Sequence, residues 1–315
     1  MNRSITVLKI KDKKRNLTNV SEINREVTES IKIKKSFKGV IPEASSRLVH
    51  KIQDHPIIKQ PLVVNVDNMV YRFVPKVAFL EHRRKNIYES DSQLLPRNQM
   101  IATDTVNLAV VEKDDFLYLL VFSAEPRIIT RIKMVLSLGD DGLAGEQIDP
   151  GMFTWLFYNF SERQGEVDHG VGIEEMYGFT SQIDLNTPED IVSARANGVQ
   201  DLSATQVEIA LKHPLKSVSL RMKLGAITAL FLLNQNQSFR IDDTSTKLGN
   251  AFDIRFDGYS KDVDSMAQAT YIFLYVIPRI STLFKNGKAS LEESIENYRG
   301  RITAELINKL EATLL

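Results

Sequence analysis

From Ser217 to Leu224, the apolar residues Val218, Leu220, Met222 and Leu224 alternate strictly with Ser217, Ser219, Arg221 and Lys223. A strand sends successive side chains to opposite faces, so this stretch predicts one apolar face and one carrying hydroxyls and cations. The alternation resumes where Phe239 and Ile241 flank Arg240, and again where Phe252, Ile254 and Phe256 alternate with Asp253, Arg255 and Asp257. Pairing of these strands would set Arg221, Lys223, Arg240 and Arg255 on one solvent face, a surface suited to an anionic partner.

The rest of the chain reads as further short elements. Ser4 to Ile10 predicts a strand, and Ile31 and Ile33, alternating with Lys32 and Lys34 before Gly39, are either a basic edge strand or part of a solvated arm. Pro42 followed by Glu43 to Ile52 predicts a short helix with proline in its first turn. Leu62 to Val66 and Val70 to Val74 predict two strands joined at Asp67 and Asn68. Val106 to Val111 and Phe116 to Phe122, around the charged residues Glu112 to Asp115, form the clearest hairpin. Its second strand is apolar at nearly every position, which places it in mid-sheet with cover on both sides. The helix after Pro126, with Ile128, Ile129, Ile132, Val135 and Leu136, supplies one cover. Met152 to Phe160 predicts a buried helix around Trp155, and Gln164 to Gly172 a loose segment. Tyr259 to Lys285 reads as a helix that Pro278 kinks or ends, and Asn286 to Ser290 as a linking turn. An amphipathic helix then runs from Ser290 to Leu315, capped by Ser290 with Glu293 three residues on. The fold class is α+β, with mostly antiparallel sheets, packed helices and a helical C-terminal tail. Its expected organisation is an N-terminal strand and polar arm (1–39), an α+β domain (40–140) and a second α+β domain (141–315), divided near Gly139 to Gly145.

Composition removes several kinds of chemistry. The 315 residues hold 40 basic and 40 acidic side chains, so affinity for a polyanion must come from local charge segregation. With no cysteine, disulfides, thiolate metal sites and cysteine nucleophiles are excluded, and a reducing, cytoplasmic setting fits best. The apolar stretch at Met1 to Lys9 is too short for a signal peptide, and the most apolar runs, Ala226 to Leu233 and Thr270 to Ile277, fall far short of the roughly 20 residues that span a bilayer. No phosphate-cradling glycine loop is present, and the five histidines lack metal-ligand spacing. Glu166, Asp168 and His169 near Glu174 and Glu175 read as a solvated acidic loop rather than a cation site. A metal-dependent nuclease would draw on Asp242, Asp243 and Asp253, but Arg255 stands where a titratable lysine is wanted. No catalytic residue, metal or cofactor is assigned.

The basic features carry more. His82 to Tyr88 holds Arg83, Arg84 and Lys85 beside an aromatic, which suits phosphate contact with stacking, and Lys32 to Lys38 repeats the composition around Phe37. Lys212 and Lys216 add charge at the start of the alternating strand. The candidate nucleic-acid contacts are therefore Arg83, Arg84, Lys85, Lys212, Lys216, Arg221, Lys223, Arg240 and Arg255.

In element order the chain has a short N-terminal region, the hairpin from Asp104 to Phe122 leading into a helix, the strand from Val218 to Leu224 and a helical tail. Over residues 60 to 310 this order resembles the KwaB proteins of the Kiwa antiphage defence system, and more distantly the phage-exclusion protein RexA. The resemblance implies a cytoplasmic protein that binds DNA without strong sequence preference, self-associates as a homo-oligomer, and works with the membrane protein KwaA. A non-catalytic DNA-binding component of a bacterial defence system is the leading expectation. A metal-dependent nuclease, and a scaffold assembling through the C-terminal helix, are the alternatives.

Overall fold

The computed structural model describes residues 2–10, 17, 23–56, 58, 61–66, 69–137, 147–183, 190–225, 227–246 and 261–314. In chain order the elements are β1 (Asn2–Ile10), β2 (Arg25–Ser30), β3 (Arg47–Asp54), β4 (Leu62–Val66), β5 (Met69–Arg83), α1 (Arg97–Met100), β6 (Ile101–Lys113), β7 (Phe116–Val121), α2 (Pro126–Leu136), α3 (Pro150–Glu162), β8 (Glu166–Asp168), β9 (Val171–Gln182), β10 (Ile191–Arg195), α4 (Ser203–Ala210), β11 (Leu215–Leu224), β12 (Ile227–Asn234), β13 (Phe239–Asp242), α5 (Lys261–Tyr271) and α6 (Ile277–Leu314). Among the described residues thirteen strands form one continuous sheet, ordered β10-β9-β11-β12-β13-β1-β7-β6-β5-β3-β2, with β4 on β5 and β8 on β9. Every pairing is antiparallel, and the α+β class holds.

One strand joins the two halves of this sheet. Residues Asn2 to Ile5 of β1 pair with β13, and Thr6 to Ile10 pair with β7. Its side chains alternate accordingly: Ile5 and Val7 enter the larger core beneath α3, α5 and α6, while Leu8 and Ile10 enter the smaller core beneath α2. The neighbouring β7 is buried on both faces, Tyr118 and Leu120 on one and Leu117, Leu119 and Val121 on the other, as its unbroken apolar run requires. Helix α2 covers only the β1-to-β3 half of its face. The other half, over β9, β11, β12 and β13, carries no helix among the described residues.

Several local expectations are corrected. Glu43 to Ile52 is not a helix; only Glu43–Ser45 makes a 3-10 turn, and the rest is β3. Leu48 and Ile52 are four apart, a spacing that satisfies both helical and strand periods, and pairing with β2 and β5 decides between them by burying Leu48, His50 and Ile52 at period two. Ile31 to Lys38 form no strand; the edge strand here is β2 at Arg25–Ser30, which carries Glu26 and Glu29 against one arginine. Pro278 does not end its helix, and Asn286 to Ser290 is not a turn: a π-helical turn at Ile272–Val276 leads into α6, which runs unbroken to Leu314. The wider turn leaves room for the proline ring against the preceding coil. Gln164 to Gly172 is likewise better ordered than expected, since it contains β8 and the start of β9. Gly139 to Gly145, where the domain division was expected, and Phe252 to Phe256, expected as a strand, lie outside the described residues.

Beyond this point α6 packs on its own chain. Tyr298 and Ile302 are buried, and the Tyr298 ring meets Tyr158 of α3 edge-on at 5.8 Å. In the other half, Lys76 of β5 is fully buried; it donates to Asn24 Oδ1 at 2.8 Å and pairs with Asp54. Because Asp54 is half-exposed, Asp54→Ala is expected to cost about 2 to 3 kcal/mol, less than the loss of a wholly buried partner, while Lys76→Met should be nearly neutral. Urea midpoints of the two variants check this.

Candidate nucleic-acid interface

At the far end of β5 the chain leaves the sheet to build a small lobe from residues 31–46 and 84–96. Arg84 N–H bonds to Met100 O at 2.8 Å, closing the exit from the strand. Asn86 Oδ1 accepts the Tyr88 N–H at 3.2 Å, the side-chain turn for which asparagine is suited. Ile87, Leu48, Met100 and Ile101 form a satellite core that holds this loop down. Against it lies the lysine-rich segment. Ile31 N–H bonds to Ser46 O at 2.8 Å and Lys38 N–H to Asp91 O at 3.0 Å. Gly39 passes so close to residue 92 that an added Cβ would stand 2.0 Å from the Ser92 carbonyl oxygen, so only glycine fits there.

The two basic segments recognised in sequence therefore meet. Arg83 Nη1 donates to the Lys32 carbonyl at 2.8 Å, and the Tyr88 hydroxyl accepts the Lys34 N–H at 2.7 Å. Phe37 stacks obliquely on Tyr88 at 5.8 Å, and the Lys34 ammonium stands 4.5 Å from the Tyr88 ring centre. Lys34 also bonds to Asp91 at 2.8 Å, which holds that carboxyl below its usual range. Segments 31–38 and 83–91 together bring seven cations, Lys32, Lys34, Lys35, Lys38, Arg83, Arg84 and Lys85, against the two carboxylates Glu89 and Asp91. Lys32, Lys35, Lys38, Arg83, Arg84 and Lys85 are all exposed.

The other candidate contacts do not join them. Lys212, with a left-handed φ of 62°, pairs with Glu296 of α6 at 2.7 Å. Lys216 occupies the register shift between Leu215 and Ser217 at one end of β11. Arg221 pairs with Glu175 of the adjacent strand at 2.9 Å, and Arg221 and Lys223 border a shallow depression shared with Glu166, Asp168, Glu174 and Glu175. Four carboxylates beside two cations make a poor seat for a polyanion. Arg240 is exposed on the open half of the sheet, where its Nε donates to Ser4 Oγ at 3.3 Å. Arg255 lies outside the described residues. Register does set Arg221, Lys223 and Arg240 on one sheet face, as the alternation anticipated, but carboxylates interleave with the first two, whereas the lobe at Arg83 to Lys85 is enlarged by Lys32 to Lys38.

Of the acidic residues considered for a nuclease, Asp242 and Asp243 are tied up within the fold. Asp243 accepts from Arg3 Nε at 3.2 Å and from Ser265 Oγ at 3.3 Å. The Thr244 hydroxyl at 2.6 Å, its N–H at 3.1 Å and the Ser245 hydroxyl at 3.0 Å all donate to Asp242, and hold its pKa at about 2 against the opposing effect of partial burial. No group of three or more metal-capable side chains gathers among the described residues. Asp253 is not among them. A depressed carboxylate stabilises the fold above its unfolded pKa and loses that contribution as pH falls through the folded value. Discounted for solvent screening, Asp242→Ala is expected to cost about 1 kcal/mol at neutral pH. Its deficit relative to wild type should close between about pH 4 and pH 2, as read by urea titrations across that range.

A comparison with protein-family models finds no match to this chain, and a comparison with curated proteins finds none either. No helix among the described residues is long and apolar enough to cross a membrane.

Proposed function

We propose that this protein is a non-catalytic, sequence-independent DNA-binding component of a bacterial antiphage defence system, cytoplasmic, acting as a homo-oligomer with a membrane-protein partner of the KwaA kind. The convergence of Lys32 to Lys38 with Arg83 to Lys85 around Tyr88 and Phe37 carries this reading. Flexible lysine and arginine heads contact phosphates without reading bases, and the aromatic pair offers a face to a sugar or an unstacked base. Nothing in the lobe supplies the fixed, convergent donors and acceptors that base-edge recognition needs.

Fluorescence-anisotropy titrations with duplexes of unrelated sequence test the proposal. Affinities should agree between sequences and fall linearly with salt on logarithmic axes, with a slope of about −0.9 per phosphate engaged. A salt-independent affinity, or no binding at low salt, would refute it.

A further inference from the structure

The open half of the sheet holds a second site, distinct from the basic lobe. Register aligns Arg195 of β10, Gly178 of β9, Ser219 of β11, Leu232 of β12 and Arg240 of β13 in one row across five strands. A cleft of about 450 Å³ lies over this row, with Arg195 and Arg240 at its two ends, Leu230 and Leu232 in its floor, and Tyr177 in its wall. The volume falls within the range of small-molecule sites, about 300 to 1,000 Å³.

Three features show a built cavity rather than a gap between side chains. Met176 and Phe179 both enter the core, so the register shift between Ser219 and Leu220 leaves Tyr177 and Gly178 together on the open side. Gly178 is required by its neighbour: a Cβ there would stand 2.8 Å from Ala194 O and 3.0 Å from Arg195 Cγ, so the bare backbone seats the arginine. The arginines, finally, have no carboxylate ion pair among the described residues, in contrast to Arg221 on the same sheet. Two guanidiniums outside any ion pair among the described residues, a single carboxylate, Asp242, at the rim, a half-buried tyrosine and an apolar floor match a ligand with an anionic end and a flat, weakly polar body.

We infer that this cleft binds a free nucleoside phosphate, its phosphates held by Arg195 and Arg240 and its base lying on Leu230 and Leu232 against Tyr177. Guanidinium forks pair with phosphate oxygens in bidentate fashion. Asp242, ionised at the rim, keeps the phosphates toward the arginines and leaves the neutral sugar on its own side.

Isothermal titration with the ribonucleoside di- and triphosphates, inorganic pyrophosphate and a 5′-phosphorylated oligonucleotide tests this. At least one nucleotide should bind, with Arg195→Ala and Arg240→Ala each weakening it tenfold or more. Tyr177→Ala should weaken nucleotide but not pyrophosphate. A Lys35/Arg84/Lys85 triple alanine variant should bind nucleotide as wild type does. The inference is overturned by no nucleotide binding at millimolar concentration, by indifference to both arginine substitutions, by pyrophosphate binding as tightly as nucleotide, or by occupancy with the oligonucleotide alone. Loss of nucleotide binding in the triple variant would also overturn it, by assigning the signal to the lobe. Loss of DNA binding in that variant with nucleotide binding kept separates the two sites.

Discussion

Simultaneous replacement of Lys35, Arg84 and Lys85 by alanine is expected to weaken DNA binding by on the order of a hundredfold near 0.1 M salt, and to make the salt slope shallower by about two to three. Each lost phosphate contact removes about one released counterion, so affinity and salt dependence must fall together. These three side chains are chosen because they are exposed and have no ion pair among the described residues. Arg83 is left intact, since its bond to the Lys32 carbonyl ties the two segments to each other. Arg83→Ala should therefore lower affinity for two reasons, lost charge and a loosened lobe. Anisotropy titrations at several salt concentrations, with far-UV circular dichroism as a check on folding, read both quantities. An unchanged slope in the triple variant would show that DNA does not sit on the lobe.

Trp155→Ala should produce the largest loss of stability, about 3 to 5 kcal/mol. Trp155 sits in α3 among Met152, Phe153, Leu156 and Phe157, is only 2% exposed, and packs at 5.6 Å on Phe284 of α6. Truncation would open a cavity at the junction of α3, α6 and the sheet, where backbone on all sides is held by regular hydrogen bonding and collapses little. Trp155→Phe keeps most of the contact and should cost about a third as much. Because this is the single tryptophan, the alanine variant must be followed by circular dichroism rather than by fluorescence. A loss under about 1 kcal/mol would mean that the helices do not press on the sheet as described.

Sequence pattern disclosed those elements whose periodicity had one reading. The alternation in β11 and the doubly apolar β7 could be nothing but strands, and both lie where their patterns put them. It failed where two periods coincide, as at Leu48 and Ile52, and where a local rule was overruled by its surroundings, as at Pro278. For the functional surface, Arg83, Arg84 and Lys85 were legible as charge beside an aromatic, and Lys32 to Lys38 as the same composition. Their meeting was not legible, because it depends on a guanidinium reaching a carbonyl 51 residues away. The pairing of Arg195 with Arg240 was hidden more deeply. Arg195 ends a five-residue strand with no marked pattern, and only the register of four intervening pairings sets it across from its counterpart. Spacing between Met176 and Phe179 was the available clue, since a step of three from one core position to the next in a strand implies a bulge.

The division of β1 between β13 and β7 has a consequence for biogenesis. Asn2 is bonded opposite Asp242, so β1 cannot complete its pairing until the 240 residues from Arg3 to Asp242 have been synthesised. In the interval its outer edge stays bare, inviting association with other nascent chains, and closure across so long an intervening loop is slow. Late capture of that edge is thus the step at which chaperones would act on this molecule.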